Sequence, residues 1–130
     1  MCGIAGFVGA GDATDLQAMS DALAHRGPDA DGLWLSAEDG VGLGHRRLSI
    51  LDLSPAGAQP MQSACGRYVI VYNGEIYNHL ALRRQLADAG RAPAWLGHSD
   101  TETLLCAIEH WGLEATLKRA VGMFEIGRAH

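Results

Sequence analysis

The chain has 130 residues, 48% of them hydrophobic and 19% charged, with a formal net charge of -5. This composition suits one globular domain and excludes a disordered chain. The acidic balance, with no basic cluster larger than His45-Arg46-Arg47, argues against a nucleic-acid partner. No apolar run approaches the roughly 20 residues of a membrane span, so no membrane partner is expected. The start lacks the basic and long apolar segments of a secretory signal, and a cytoplasmic location is expected.

Residues 2–8, "CGIAGFV", are short, apolar and Gly-punctuated, and predict a buried strand. Leu16, Met19 and Leu23 recur at helical spacing behind Asp12 or Thr14 as N-cap. "HRGPDADG" (25–32) is loop chemistry, because Pro28 turns Gly27 away from helix and the Asp and Gly residues favour turns. Strands at 32–36 and 41–51 follow, joined by the "AEDG" turn. Residues 52–61, with two prolines, form a loop. In "RYVIVYNG" (67–74) Tyr68, Ile70 and Tyr72 point one way and Val69 and Val71 the other. Both faces are apolar, which predicts a strand between two layers. A helix is expected from Ile76 to Ala89, stopped by Gly90. "SDTE" (99–102) is a capping box that opens a helix whose face is Leu104, Leu105, Ile108 and Trp111. Gly112 ends that helix, and a short one over 113–120 leads into "VGMF". Elements in blocks, without βαβ alternation, predict an α+β fold with antiparallel sheet.

Cys2, Cys65 and Cys106 include no CxxC pair, which argues against a disulfide framework and a zinc ribbon. Cys106 lies among Leu104, Leu105 and Ile108 and reads as a small core residue, while Cys65 carries no signal. The six histidines lack metal-ligand spacing, and no metal is expected. Cys2 has two readings. It is a buried thiol in a strand or, once Met1 is removed, the first residue of the mature chain. In the second case it holds a nucleophilic thiol beside an α-amine whose ordinary pKa is about 7.7–8.0, so nucleophile and base share one residue.

Other residues could complete such a site. Asn73-Gly74 at a strand end is by itself a turn, but its amide and backbone N–H can also form an oxyanion hole. Arg46 and Arg47 lie on opposite faces of a strand, so one of them faces inward or sits at the rim. An inward arginine needs an acidic partner or a carboxylate ligand. Asp100 belongs to the capping box, and either it or Glu75 could receive an ammonium. Thiol, oxyanion hole, carboxylate site and ammonium site together suit acyl transfer from an amino-acid amide.

"MCGIAGFVG", "HRGPDADG", "GHRRLSILDLSPAGAQPM", "YNGEIYNH" and "GHSDTETLL" stand in one order from residue 1 to about 124. They closely resemble the glutaminase domain of glutamine-hydrolysing asparagine synthetases, which are class II glutamine amidotransferases of the N-terminal-nucleophile hydrolase superfamily. The resemblance implies a four-layer αββα sandwich and L-glutamine as substrate. It implies that Cys2 attacks the side-chain amide, its α-amine relays the proton, and Asn73 and Gly74 hold the oxyanion. Arg47 would grip the substrate carboxylate, aided by the backbone of Leu48, Ser49, Ile50 and Leu51. Glu75 and Asp100 would receive the ammonium. In the family, ammonia passes to a C-terminal synthetase domain that amidates aspartate with ATP and Mg²⁺, and a full-length homodimer is expected. Some relatives amidate other acceptors, including surface-polysaccharide sugars.

The synthetase domain is absent from the 130 residues, as are strands expected after "GMF". Residues 1–124 are therefore expected to be a partial amidotransferase domain. Residues 125–130, "EIGRAH", translate back to a common sequencing-adapter string and are expected to be a non-native tail. A fold lacking those strands would leave open sheet edges. The alternative to a working glutaminase is then a non-catalytic fragment with at most weak glutamine binding.

Overall fold

The computed structural model of the chain describes residues 2–48 and 55–129, the side chains of Glu125 and of residues 127–129 excepted. Two three-stranded antiparallel sheets form its centre. The first holds β1 (Gly3–Val8), β2 (Ala30–Ser36) and β3 (Val41–Arg47) in the order β1-β3-β2. The second holds β4 (Met61–Gln62), β5 (Val69–Ile76) and β6 (Gly122–Ala129) in the order β4-β5-β6. Helix α1 (Ala13–Ala22) packs on β1 and β3. Helices α2 (His79–Asp88), α3 (Asp100–Trp111) and α4 (Leu113–Arg119) follow β5, and α3 packs against it. The layers run helix, sheet, sheet, helix, and the α+β reading with an αββα sandwich agrees with them.

Alternation along two strands builds this stack. On β5, Val69 and Val71 meet Leu43, Ile4, Trp34 and Val41 between the sheets. Tyr68, just before the strand, and Ile70, Tyr72 and Ile76 meet Leu82, Leu104, Leu105 and Ile108 on the helical side. Ile70, Leu82 and Leu104 are fully buried, and each such side chain contributes roughly 1.5–3 kcal/mol of transfer free energy. On β3, Leu43 and His45 face the second sheet, while Arg46 faces α1. Gly44 lies on that α1 side, where a Cβ would meet Leu33 and Leu16.

Helix α1 is N-capped by Asp12, whose carboxylate accepts from the Asp15 N–H at 2.9 Å while the Asp15 carboxylate accepts from the Asp12 N–H at 3.0 Å. Four sequence expectations are corrected. β2 starts at Ala30, two residues early, because Ala30 and Asp31 pair with Arg47 and Arg46. The loop over 52–61 is not all irregular: it contains a 3₁₀ turn at Pro55–Gly57, and Met61 starts β4. The helix expected at Ile76 starts at His79, because β5 continues through Asn73, Gly74 and Glu75 in register with β6 and Ile76 is needed in the core. The capping box at 99–102 is only half made. Ser99 Oγ accepts from the Glu102 N–H at 3.3 Å, but the Glu102 carboxylate turns to the N–H groups of Leu96 and Gly97.

Candidate active site

Four distant segments converge on one cavity of about 560 Å³, a volume in the range of small-molecule sites. Cys2 directly precedes β1, Arg47 ends β3 with Leu48 just beyond it, and Asn73, Gly74 and Glu75 come from the end of β5. Asp100 comes from the first turn of α3. All seven are residues that the sequence nominated, and all line the cavity. Ser49, Ile50 and Leu51 lie outside the described residues. A second hollow of about 380 Å³, lined by Phe7, Val8, Leu43, Val71 and their apolar neighbours, offers no polar side chain.

The Leu48 N–H donates to Cys2 Sγ at 3.4 Å, and Sγ lies 3.6 Å from the Leu48 carbonyl. The Cys2 carbonyl accepts from Arg26 Nε at 3.2 Å and from Asn73 Nδ2 at 3.1 Å. The residue bearing the thiol is thus tied to β3, to the loop after α1 and to β5. Gly74 has φ 155°, and a Cβ there would overlap the Met123 carbonyl and Phe124 Cα. Only glycine lets β6 come this close at that backbone angle.

Of the two adjacent arginines, Arg46 turns to α1. It donates to Ser20 O and Oγ at 3.0 Å and to Asp21 at 2.9 Å. Arg47, one residue on, faces the cavity. Asp100 is buried, and its Oδ2 accepts from the Tyr72 hydroxyl at 3.1 Å and the Ile76 N–H at 2.8 Å. Arg83 braces the chain leading into α3, with Nε on Thr103 Oγ1 at 2.7 Å, Nη1 on the Gly97 carbonyl and Nη2 on the Ser99 carbonyl. Its guanidinium stacks 4.0 Å from the Trp95 ring centroid.

Other lining residues carry no site signal in the sequence, Arg26, Gln59, Tyr72 and His45 among them. Arg26 stands in a loop motif, Gln59 sits in a proline-rich stretch, and Tyr72 belongs by pattern to an apolar strand face. His45 is one of six scattered histidines in the sequence, and its buried place on β3 shows only once the sheets are stacked. His45 Nε2 lies 3.1 Å from the Tyr72 carbonyl. A carbonyl only accepts, which assigns the proton to Nε2. Burial, with Arg47 adding to it against that hydrogen bond, lowers the His45 pKa from 6.5 to about 4, so the ring is neutral at pH 7. Burial, with Asp100 adding, raises the Tyr72 pKa, and its phenol stays a donor. Burial likewise pushes the Cys106 thiol up to about 11, as suits a core residue, whereas Cys2 is half-buried at the cavity. The described residues include no group of three His, Cys, Asp or Glu side chains that could hold a metal ion. None of the described helices is long and apolar enough to cross a membrane.

Residues 1–127 match the family described as "Glutamine amidotransferase domain". The chain is 42% identical over 127 residues to "Amidase chry2" of Gibberella zeae, an alignment covering 87% of this chain and 18% of that one. It is 39% identical to a putative glutamine-hydrolyzing asparagine synthetase of Mycobacterium bovis, covering 95% of this chain and 21% of that protein. It is 41% identical to asparagine synthetase 1 of Bacillus subtilis, covering 84% and 16%. The chain thus spans about a fifth of the length of the curated relatives it matches. The structure of glutamine phosphoribosylpyrophosphate amidotransferase from B. subtilis superposes with TM-score 0.73 at 19% identity, covering 98% of this chain and 34% of that one. That likeness supports the N-terminal-nucleophile hydrolase fold.

Proposed function

The chain belongs to the glutamine amidotransferase domain family, and from that membership we propose that it hydrolyses L-glutamine to glutamate and ammonia through a thioester on Cys2. The observation that carries this reading is the single cavity into which the Cys2 thiol, the Asn73 amide, Arg47 and the Asp100 carboxylate are gathered. With Met1 removed, the Cys2 α-amine takes the thiol proton as sulfur attacks the amide carbon. The Leu48 N–H gives the sulfur a donor while charge develops. Asn73 Nδ2 carries two hydrogens; one holds the Cys2 carbonyl, and the other is available to the oxyanion together with the Gly74 N–H. Collapse returns the proton to the leaving nitrogen and releases ammonia. Water then attacks the thioester, freeing glutamate and the thiol. Arg47 holds the substrate carboxylate, helped by the backbone over 48–51, and Asp100 with Glu75 holds the ammonium.

Relatives named asparagine synthetase support a finer reading, in which the ammonia amidates aspartate in a longer protein. ATP and Mg²⁺ would supply acceptor activation there, in the synthetase domain expected of that protein, and no step above uses them. A relative named an amidase leaves room for a second reading, an acceptor other than aspartate such as a surface-polysaccharide sugar. A cytoplasmic location belongs to the same proposal and is supported by three unpaired cysteines.

The test is glutamate release by the 130-residue chain and by its Cys2→Ala variant. The proposal expects release that disappears with Cys2→Ala. No Cys2-dependent release would support the alternative, a non-catalytic glutamine-binding fragment.

A further inference from the structure

Tyr72 is held at four points and buried to 3% exposure. Its N–H donates to Gln59 Oε1 at 2.6 Å, and its carbonyl accepts from His45 at 3.1 Å. Its ring lies against Phe124 with centroids 6.3 Å apart. Its hydroxyl donates to Asp100 Oδ2, the oxygen that also accepts from the Ile76 N–H. Gln59 reaches on through Nε2 to Thr101 Oγ1 at 3.3 Å, one residue beyond Asp100. One residue of β5 is therefore fastened to β3, to the 59–60 turn and to the start of α3, and its chain neighbour is Asn73.

We infer that the Tyr72 hydroxyl is a positioning group for ammonium recognition: it fixes the rotation of the Asp100 carboxylate at the cavity wall and joins that end of the site to Asn73. The inference rests on one part of the reading above, that Asp100 receives the ammonium of bound glutamine. Two donors on one carboxylate oxygen remove the freedom of Asp100 to turn. A carboxylate held this way meets the ammonium without reorganising, which is the source of its selectivity. A hydroxyl that merely stapled β5 to α3 would support every ligand equally.

The test separates these roles by binding. In a Cys2→Ala background, calorimetry compares L-glutamine with 4-carbamoylbutanoate, the same molecule without its α-ammonium group. The unaltered Tyr72 is expected to favour glutamine by about tenfold, the order of one charge-assisted hydrogen bond. Tyr72→Phe is expected to narrow this preference to about threefold or less, with 4-carbamoylbutanoate affinity changed by less than about twofold. Asp100→Asn is expected to remove the preference, and adding Tyr72→Phe to it is expected to change nothing more. Equal weakening of both ligands by Tyr72→Phe, an unchanged preference, or no preference in the parent would overturn the inference. Cys2-dependent glutamate release, scored separately with Cys2 intact, reports on the glutaminase reading. Selective binding without such release would contradict that reading and leave the role of Tyr72 standing.

Discussion

His45 makes the stability of this chain depend on pH in a calculable way. Its ring is 3% exposed between the sheets, and burial brings its pKa from 6.5 down to about 4. Between those values the unfolded chain binds the proton and the folded chain does not. Stability from this group is therefore complete above pH 6.5, falls as the pH drops towards 4, and falls no further below that. The full interval corresponds to roughly 3 kcal/mol, and the part between pH 7 and pH 5 to about 2 kcal/mol. That is a large share of the 5–15 kcal/mol typical of a domain. The perturbation is His45→Gln, whose amide can still donate to the Tyr72 carbonyl but does not titrate. Urea unfolding of both chains at pH 7, 6 and 5 reads the effect. The parent should lose about 2 kcal/mol more than His45→Gln over that range, the surface carboxylates contributing equally to both. Parallel pH profiles for the two chains would refute the reasoning, because His45 would then be protonated alike in both states.

Two further substitutions probe the frame around the cavity. Gly74→Ala places a Cβ against the Met123 carbonyl at φ 155° and should cost roughly 3 kcal/mol by urea unfolding; a midpoint equal to the parent's would count against the close β5–β6 approach. Arg83→Met removes donors to Thr103, Gly97 and Ser99 and should cost roughly 2–3 kcal/mol while weakening glutamine binding through the loosened start of α3. Unchanged binding at reduced stability would show that the Arg83 brace does not reach Asp100.

Much of this architecture is legible in local sequence. The two apolar faces of 67–74 placed β5 between layers, and Tyr68, Ile70 and Tyr72 do part from Val69 and Val71. Seven nominated residues line the cavity; local strand, turn and cap signals marked Cys2, Asn73, Gly74, Glu75 and Asp100, whereas the family resemblance chose Arg47 over Arg46 and added Leu48. What was illegible depends on partners far away in the chain. Glu75 and Ile76 have helix-compatible neighbours, yet pairing with Met123 and Gly122 extends them as strand. Adjacent arginines differ only in pleat parity, so the α1 contact of Arg46 and the cavity position of Arg47 required the stacked sheets. The Glu102 carboxylate completes a capping box by pattern, but the N–H groups of Leu96 and Gly97 compete for it, and no spacing rule predicts that outcome.

The central claim is that Cys2, freed at its α-amine, carries the acyl group. Peptide-mapping mass spectrometry after an acid quench during turnover of L-glutamine tests it directly. The account predicts an N-terminal peptide that begins at Cys2 and bears a glutamyl group on that residue. Glutamate release from a chain that retains Met1, or whose Cys2 stays unmodified while another residue carries the acyl group, would contradict it.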